Sequence, residues 1–70
     1  MSRLEGLTPK EAQIAALMAQ RLTGREIAEK CFLSEGTIKQ YINRIYAKLG
    51  IEGDTKTKRK KLYELFDYKN

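Results

Sequence analysis

A stripe of apolar residues in the middle of this chain limits its fold more than any other feature. The stripe consists of Ile38, Tyr41, Ile42, Ile45, Tyr46 and Leu49. These residues fall at i, i+3, i+4, i+7, i+8 and i+11, which is the spacing of the buried face of an α-helix. The opposite face is polar and basic and carries Gly36, Lys39, Gln40, Asn43, Arg44 and Ala47. The pattern predicts an amphipathic helix with one dry side and one positively charged side.

The residues before this helix predict a second, shorter helix and a tight turn. The segment Thr23–Ile42 contains two helix-start signals. Thr23 is followed three residues later by Glu26, which is the pattern of a capping box. Ser34 can cap the long helix, and Gly50 is expected to end it. A helix-turn-helix unit whose second helix presents Lys, Gln, Asn and Arg is suited to the major groove of DNA.

A further helix is predicted near the N-terminus. Thr8 and Glu11 have the spacing of a capping box, and Pro9 falls at the first helical position, where its missing N–H costs nothing. We expect this helix to end near Gln20–Leu22.

The last predicted helix, Lys56–Asp67, changes character along its length. Asp54 is a candidate N-cap. The run Lys56–Lys61 is basic at five of its six positions, and an apolar stripe follows in the second half of the helix. Because no alternation of polar and apolar residues is long enough for a strand, the chain predicts an all-α, four-helix fold.

Length and composition restrict the classes of function. With 70 residues, the chain is expected to form a single domain over residues 1–70, with its core at about 7–66. Cys31 is the single cysteine and histidine is absent, which excludes an internal disulfide and argues against a zinc site. We expect Cys31 to be a small buried apolar residue. No nucleophile–base pair or glycine-rich phosphate loop is recognisable, so we expect no enzyme activity, no cofactor and no small-molecule ligand.

The charge of the chain indicates a polyanionic partner. Fourteen Lys and Arg against nine Asp and Glu give a net charge of +5 and a pI near 9.5. No apolar run reaches the ~18–20 residues that span a bilayer, and the N-terminus lacks the apolar segment of a signal peptide. We therefore expect a soluble, cytoplasmic protein with no membrane partner.

Four motifs, in this order and at these separations, resemble the LuxR-type (GerE-like) helix-turn-helix domain. They are LTPKE at 7–11, EIAEK at 26–30, LSEGTIK at 33–39 and KLGI at 48–51. The resemblance covers about residues 7–66. It implies a four-helix fold in which the third helix enters the major groove and the fourth usually mediates dimerisation. It also implies a bacterial transcription regulator, and many members are output domains of response regulators or quorum-sensing receptors.

The resemblance also implies roles for individual residues. The base-reading side chains would be Lys39, Gln40 and Asn43, which helical geometry independently places on the outer face. The candidates for contact with DNA phosphate are Thr23, Arg25, Ser34, Thr37, Arg44, Lys48 and Lys58. The apolar candidates for a homodimer seam on helix four are Leu62, Leu65 and Phe66. We expect Leu62 and Leu65 to lie mainly in the core, whereas Phe66 is equally suited to core or seam.

The chain departs from the family pattern at three places. Arg21 stands where a glycine is usual, and Tyr41 replaces a frequent histidine. Asp54 and the run Lys56–Lys61 replace a usual Arg-Thr start and a more apolar first half of helix four. A dimer face made of lysines would repel its symmetry mate. Three possibilities therefore remain for helix four: it dimerises only through its C-terminal half, it contacts DNA phosphate, or the domain alone is monomeric. For the basic run itself, the alternative to phosphate contact is a solvated helix surface.

Two other functions fit parts of the pattern. A sigma-factor region-four-like domain, which docks RNA polymerase, shares the Glu26–Ala28 element and the capped recognition helix. The ending Lys48–Ile51 and the fourth helix argue against it. A protein-interaction module would instead use helix four to bind a partner regulator.

Overall fold

The computed structural model describes residues 6–67, and four α-helices make up most of this range. They are α1 (Pro9–Ala19), α2 (Gly24–Cys31), α3 (Glu35–Leu49) and α4 (Thr55–Asp67). No strand occurs within residues 6–67, so the prediction of an all-α, four-helix fold is confirmed. None of the helices in this range combines the length and apolarity needed to cross a bilayer. Residues 1–5 and 68–70, which the predicted domain includes, lie outside the described range.

Each helix begins where a capping side chain was predicted. Thr8 and Thr23 form complete capping boxes, each with the glutamate three residues further on. Ser34 Oγ and Asp54 Oδ1 accept hydrogen bonds from the backbone amide three residues further on, at 3.1 and 2.7 Å. These side chains satisfy amides that have no carbonyl partner inside the helix. The bond from the backbone amide also holds the pKa of the Asp54 carboxyl below its usual value.

A residue with a left-handed backbone conformation follows each of the first three helices, at the cap of α2 and α3 and one residue beyond the cap of α1. The φ angles are +69° at Arg21, +57° at Phe32 and +70° at Gly50. The helix α1 ends at Ala19, just short of the predicted Gln20–Leu22, and the chain then turns through Arg21. At the other end of the helix-turn-helix unit, Gly50 ends α3 as predicted.

A single apolar core lies between the four helices. Its buried residues are Ile14, Ala15, Met18, Ile27, Ala28, Cys31, Ile38, Ile45, Tyr46, Leu49, Ile51 and Leu62. Helix α3 packs against α1 and α2, and α1 also packs against α4. The predicted inner stripe of α3 is confirmed for four of its six members, while Tyr41 and Ile42 are half-buried at the edge of the core. The core therefore fixes α3 from behind and leaves its outer face in solvent.

An ion pair with a buried carboxylate fastens α1 to α3. Lys48 Nζ lies 2.7 Å from Oε1 of Glu11, whose side chain is 1% exposed. The Thr8 amide donates to the same Glu11 oxygen at 2.9 Å. The hydrogen bond from Lys48, followed by the one from Thr8, lowers the pKa of the Glu11 carboxyl. One carboxylate thus caps α1 and holds the last turn of α3.

Candidate nucleic-acid interface

The outer face of α3 is polar and exposed to solvent. Lys39, Gln40, Asn43 and Arg44 are all exposed, and the α3 residues behind them are buried in the core. The guanidinium of Arg44 lies 5.7 Å from the centre of the half-buried Tyr41 ring. The three residues predicted to read bases therefore share one accessible face on a helix held rigidly from the opposite side.

The first turn of α3 leaves space for a partner to approach the backbone. A Cβ atom built on Gly36 would meet only Ser34 Oγ, at 3.9 Å. The Thr37 hydroxyl accepts a hydrogen bond from Ser34 Oγ at 3.0 Å, which uses the Ser34 O–H and leaves the Thr37 O–H able to donate. If this turn binds phosphate, its first backbone amides and the Thr37 hydroxyl are the groups that can donate to it.

The first turn of α2 has a comparable arrangement. The Thr23 hydroxyl accepts a hydrogen bond from the Glu26 amide at 3.2 Å, and the Thr23 amide donates to Glu26 Oε1 at 2.8 Å. These bonds lower the pKa of the Glu26 carboxyl. Helix geometry gives the next amides, those of Gly24 and Arg25, no carbonyl partner within α2. They are the donors that remain for an anion, and the Arg25 side chain is exposed beside them.

A cleft of about 340 Å³ separates the start of α2 from α3 and α4. Its lining residues are Thr23, Gly24, Lys39, Ile42, Asn43, Tyr46, Thr55, Lys58 and Arg59. Lys39, Asn43, Thr23 and Lys58 were all predicted from sequence to contact DNA. These four residues come from the start of α2, from α3 and from α4. Thr23 and Lys58 are more than thirty positions apart in the sequence, and the fold brings them to the same cleft.

Five lining residues were not among the predicted contacts, and two of them, Arg59 and Tyr46, carry polar groups with notable surroundings. Arg59 Nη2 donates to the Leu22 carbonyl oxygen at 2.6 Å and so ties α4 to the α1–α2 linker. The sequence could have indicated that Arg59 faces the body of the fold. Arg59 precedes Leu62 by three positions and Phe66 by seven, so it lies on the same face of the helix as these two apolar residues. Tyr46 is 4% exposed, its hydroxyl makes no hydrogen bond within residues 6–67, and burial raises its pKa. Lys58 Nζ lies 5.0 Å from the centre of the Tyr46 ring.

The structure separates Lys48 from the other predicted phosphate contacts. Lys48 does not line the cleft, and its ammonium is bonded to Glu11. Its side chain is 36% exposed. Lys48 therefore has a structural partner already, and a phosphate would have to share that ammonium with the buried carboxylate.

Of the three predicted dimer residues, Leu62 is not accessible. Leu62 is 0% exposed because its side chain lies in the core. It therefore has no accessible surface for a dimer seam, and this part of the prediction is wrong. Leu65 and Phe66 are half-buried against the same core and retain exposed surface. The structure places Phe66 at the boundary between core and solvent.

Groups that could support metal binding or catalysis are sparse in the described part of the chain. No cluster of three or more Cys, Asp or Glu side chains able to hold a metal ion occurs within residues 6–67. Cys31 is a free thiol buried in the core, as predicted.

A family profile and several curated relatives match the chain. The profile described as bacterial regulatory proteins, luxR family, matches residues 5–60. The DNA-binding transcriptional activator DevR/DosR of Mycobacterium tuberculosis is 44% identical over 52 residues, which cover 74% of this chain and 24% of that protein. The transcriptional regulatory protein LnrK of Bacillus subtilis is 35% identical over 54 residues, covering 77% of this chain and 24% of that protein.

The spore germination protein GerE of Bacillus subtilis is 38% identical over 47 residues, covering 67% of this chain and 64% of that protein. The chain spans about a quarter of the length of the DevR/DosR and LnrK relatives. No solved structure matches it significantly.

Proposed function

This chain belongs to the luxR family of bacterial regulatory proteins, and on that premise we propose that it binds duplex DNA sequence-specifically as the output domain of a transcription regulator. The observation that carries the proposal is the exposed Lys–Gln–Asn–Arg face of α3, fixed from behind by the core. The family is one of regulatory proteins, not enzymes, and we propose that residues 7–66 form one binding domain without catalytic activity or a cofactor. Its place of action would be the cytoplasm, at the nucleoid.

Base reading is assigned to the exposed face of α3 in the major groove. Lysine can donate to guanine O6 or N7, and asparagine can pair with adenine N6 and N7. Lys39 and Asn43 lie one helical turn apart on this face, with Gln40 beside them. These three residues would carry the sequence preference.

Phosphate contacts would supply most of the affinity and fix the register of α3. The proposed set is Thr23, Arg25, Ser34, Thr37, Arg44, Lys48 and Lys58. Thr23 and Ser34 head α2 and α3, where free amides and the helix dipole favour anions. Lys48 is the weakest member of the set because its ammonium already pairs with Glu11.

Two copies on a palindromic site are the expected assembly, with half-sites about 34–36 Å apart, one turn of the duplex. The longest dimension of the described fold is 30 Å, so copies on adjacent major grooves would come close to each other. Leu65 and Phe66 are the apolar side chains of α4 left for a homodimer seam once Leu62 is assigned to the core.

The alternatives considered from sequence are less well supported. The match to the luxR family favours a regulator over a sigma-factor domain. No observation on α4 specifically favours a protein partner over DNA.

Selection from a random duplex pool, followed by substitution of Lys39, tests the proposal. Lys39→Ala should cost ~1–3 kcal/mol of binding free energy on the selected site and less on random duplex. Fluorescence anisotropy with both duplexes measures the difference. Lys10→Ala is the matched control, because Lys10 is exposed on α1 and lines neither the cleft nor the outer face of α3.

Equal losses on the selected and random duplexes would assign Lys39 to a phosphate contact instead of a base contact. Failure of the wild-type chain to bind any duplex at low salt would overturn the function itself.

A further inference from the structure

We propose that the cleft between α2, α3 and α4 seats one DNA backbone phosphate, with Lys58 as its principal ligand. This inference rests on the proposed function and deepens it, because it assigns Lys58 to one phosphate seat and names the helices that form the seat. The partner chemistry is a phosphodiester of the strand that borders the major groove on the α4 side of α3.

The charge of the cleft is the first reason. Lys39, Lys58 and Arg59 line it from two helices, and no carboxylate is among its lining residues. Among the side chains that the structure describes, those of residues 6–66, no carboxylate oxygen lies within salt-bridge distance of Lys58 Nζ. These cations make the potential of the cleft positive, which favours an anion there, while the Asp54 carboxylate acts on Lys58 from outside the lining.

The helix ends around the cleft are the second reason. Thr23 and Gly24, at the start of α2, and Thr55, at the start of α4, all line it. The amides of the first turn of a helix lack carbonyl partners and carry the positive end of the helix dipole. Both starts therefore add to the positive potential that the side chains create.

The fixed position of α4 is the third reason. Arg59 is bonded to the Leu22 carbonyl oxygen at 2.6 Å, and Leu62 anchors the next turn in the core. Lys58 rests against the buried Tyr46 ring, 5.0 Å from its centre. The Lys58 ammonium is thus held near the cleft by packing and is not bonded to a competing acid within the described residues.

Continuity with the base-reading face identifies the anion as DNA phosphate. Lys39 and Asn43 line the same cleft and also belong to the outer face of α3. A strand whose bases meet these two residues carries its backbone along the edge of α3, toward α4. A free anion or nucleotide would not need this connection.

The test compares lysines on the same helix that differ in position. Lys58→Gln removes the proposed ligand, and Lys58→Arg restores its charge. Lys60→Gln is the matched control, since Lys60 is exposed on α4 and does not line the cleft. Circular dichroism and thermal unfolding establish that each variant keeps the fold. Binding to the selected duplex is then measured from low to high salt.

One phosphate contact contributes about 0.9 to the slope of log K against log salt, which corresponds to about fivefold in Kd at about 150 mM salt. We expect Lys58→Gln to lose that slope and that affinity on selected and random duplexes alike. Lys60→Gln should lose much less of either, and Lys58→Arg should bind like the wild type.

A scan of neutral methylphosphonate linkages locates the phosphate. One linkage should weaken the wild type and Lys60→Gln about fivefold but leave Lys58→Gln little changed, because its contact is already gone. If the wild type binds duplex while Lys58→Gln and Lys60→Gln have equal slopes, or if no linkage couples to Lys58, the cleft is not a phosphate seat. If the wild type binds no duplex, the proposed function fails before this inference is reached.

Discussion

Arg21 holds a backbone conformation that glycine adopts more readily than any residue with a Cβ atom. Its φ of +69° lies in the left-handed region, at the turn between α1 and α2. The side chain offsets this cost through interactions: Nη1 donates to the Ala19 carbonyl at 2.8 Å, and the guanidinium stacks 4.0 Å from the centre of the Tyr63 ring. The position where the family usually has glycine is therefore left-handed here as well.

Two substitutions at Arg21 separate the backbone cost from the side-chain gain. Arg21→Gly should have a free energy of unfolding about 1 kcal/mol higher than Arg21→Ala, because both lose the side-chain contacts but only glycine relieves the left-handed strain. Urea denaturation followed by circular dichroism measures the difference. Equal stabilities would mean that the turn has relaxed to a negative φ in the variants.

At the scale of the element, α3 is held by features at both of its ends. Ser34 caps its start, and Gly50 ends it with a φ of +70°, which lets Ile51 return to the core. The Glu11–Lys48 pair fastens its last turn to α1. The position of the proposed base-reading face is therefore set by the cap, the terminal glycine and the ion pair at the two ends of α3.

The ion pair makes the stability of the α1–α3 contact depend on pH. The pKa of Glu11 is lowered in the fold from a usual value of 4.5, so its contribution to the free energy of unfolding is complete above that value and is lost as the pH falls through the folded pKa. The carboxyls of Glu26 and Asp54 act in the same direction. We expect Lys48→Met to lower Tm at neutral pH.

The difference in Tm between Lys48→Met and the wild type should shrink as the pH falls below 4.5 and through the lowered folded pKa of Glu11, because a protonated Glu11 no longer forms the ion pair. Thermal unfolding across a pH series measures it. Lys39→Met, an exposed lysine of the same helix, should show a small difference that does not vary over this range. A Lys48→Met deficit that is constant with pH would assign Lys48 to packing instead of to the ion pair.

In the molecule as a whole, a single small core holds α3, the cleft and α4 in position relative to one another. The residues of α4 divide between that core, the cleft and the solvent, so the helix cannot serve as a dimer seam along its whole length. Leu62 is 0% exposed, whereas Leu65 and Phe66 are half-buried. A seam restricted to the last turn and a basic first half are compatible with two copies on one duplex.

Substitution of Leu62 distinguishes a core role from a dimer role. Leu62→Ala should cost about 2–5 kcal/mol, because it empties a fully buried site. A single core of this size supplies only about 3–5 kcal/mol, so the variant should be largely unfolded at any protein concentration. Leu65→Ala should remain folded. Urea midpoints measured at two protein concentrations test this, and a folded Leu62→Ala variant that merely fails to dimerise would contradict it.

Short-range patterns in the chain predict where each helix starts and which of its faces is apolar. Capping and helical periodicity act between residues three or four positions apart, so Thr8, Thr23, Ser34 and Gly50 could be read directly from the chain. The exposed outer face of α3 followed from the same periodicity. Family resemblance then supplied the expected roles of its residues.

The contacts between residues that are far apart in the sequence are visible only in the folded chain. Glu11 and Lys48 are 37 positions apart, and so are Leu22 and Arg59. The burial of Leu62 and the convergence of Thr23, Lys39 and Lys58 on one cleft depend on how α4 crosses the other helices. No local rule specifies these contacts, because packing of the whole core sets the positions of the helices relative to one another.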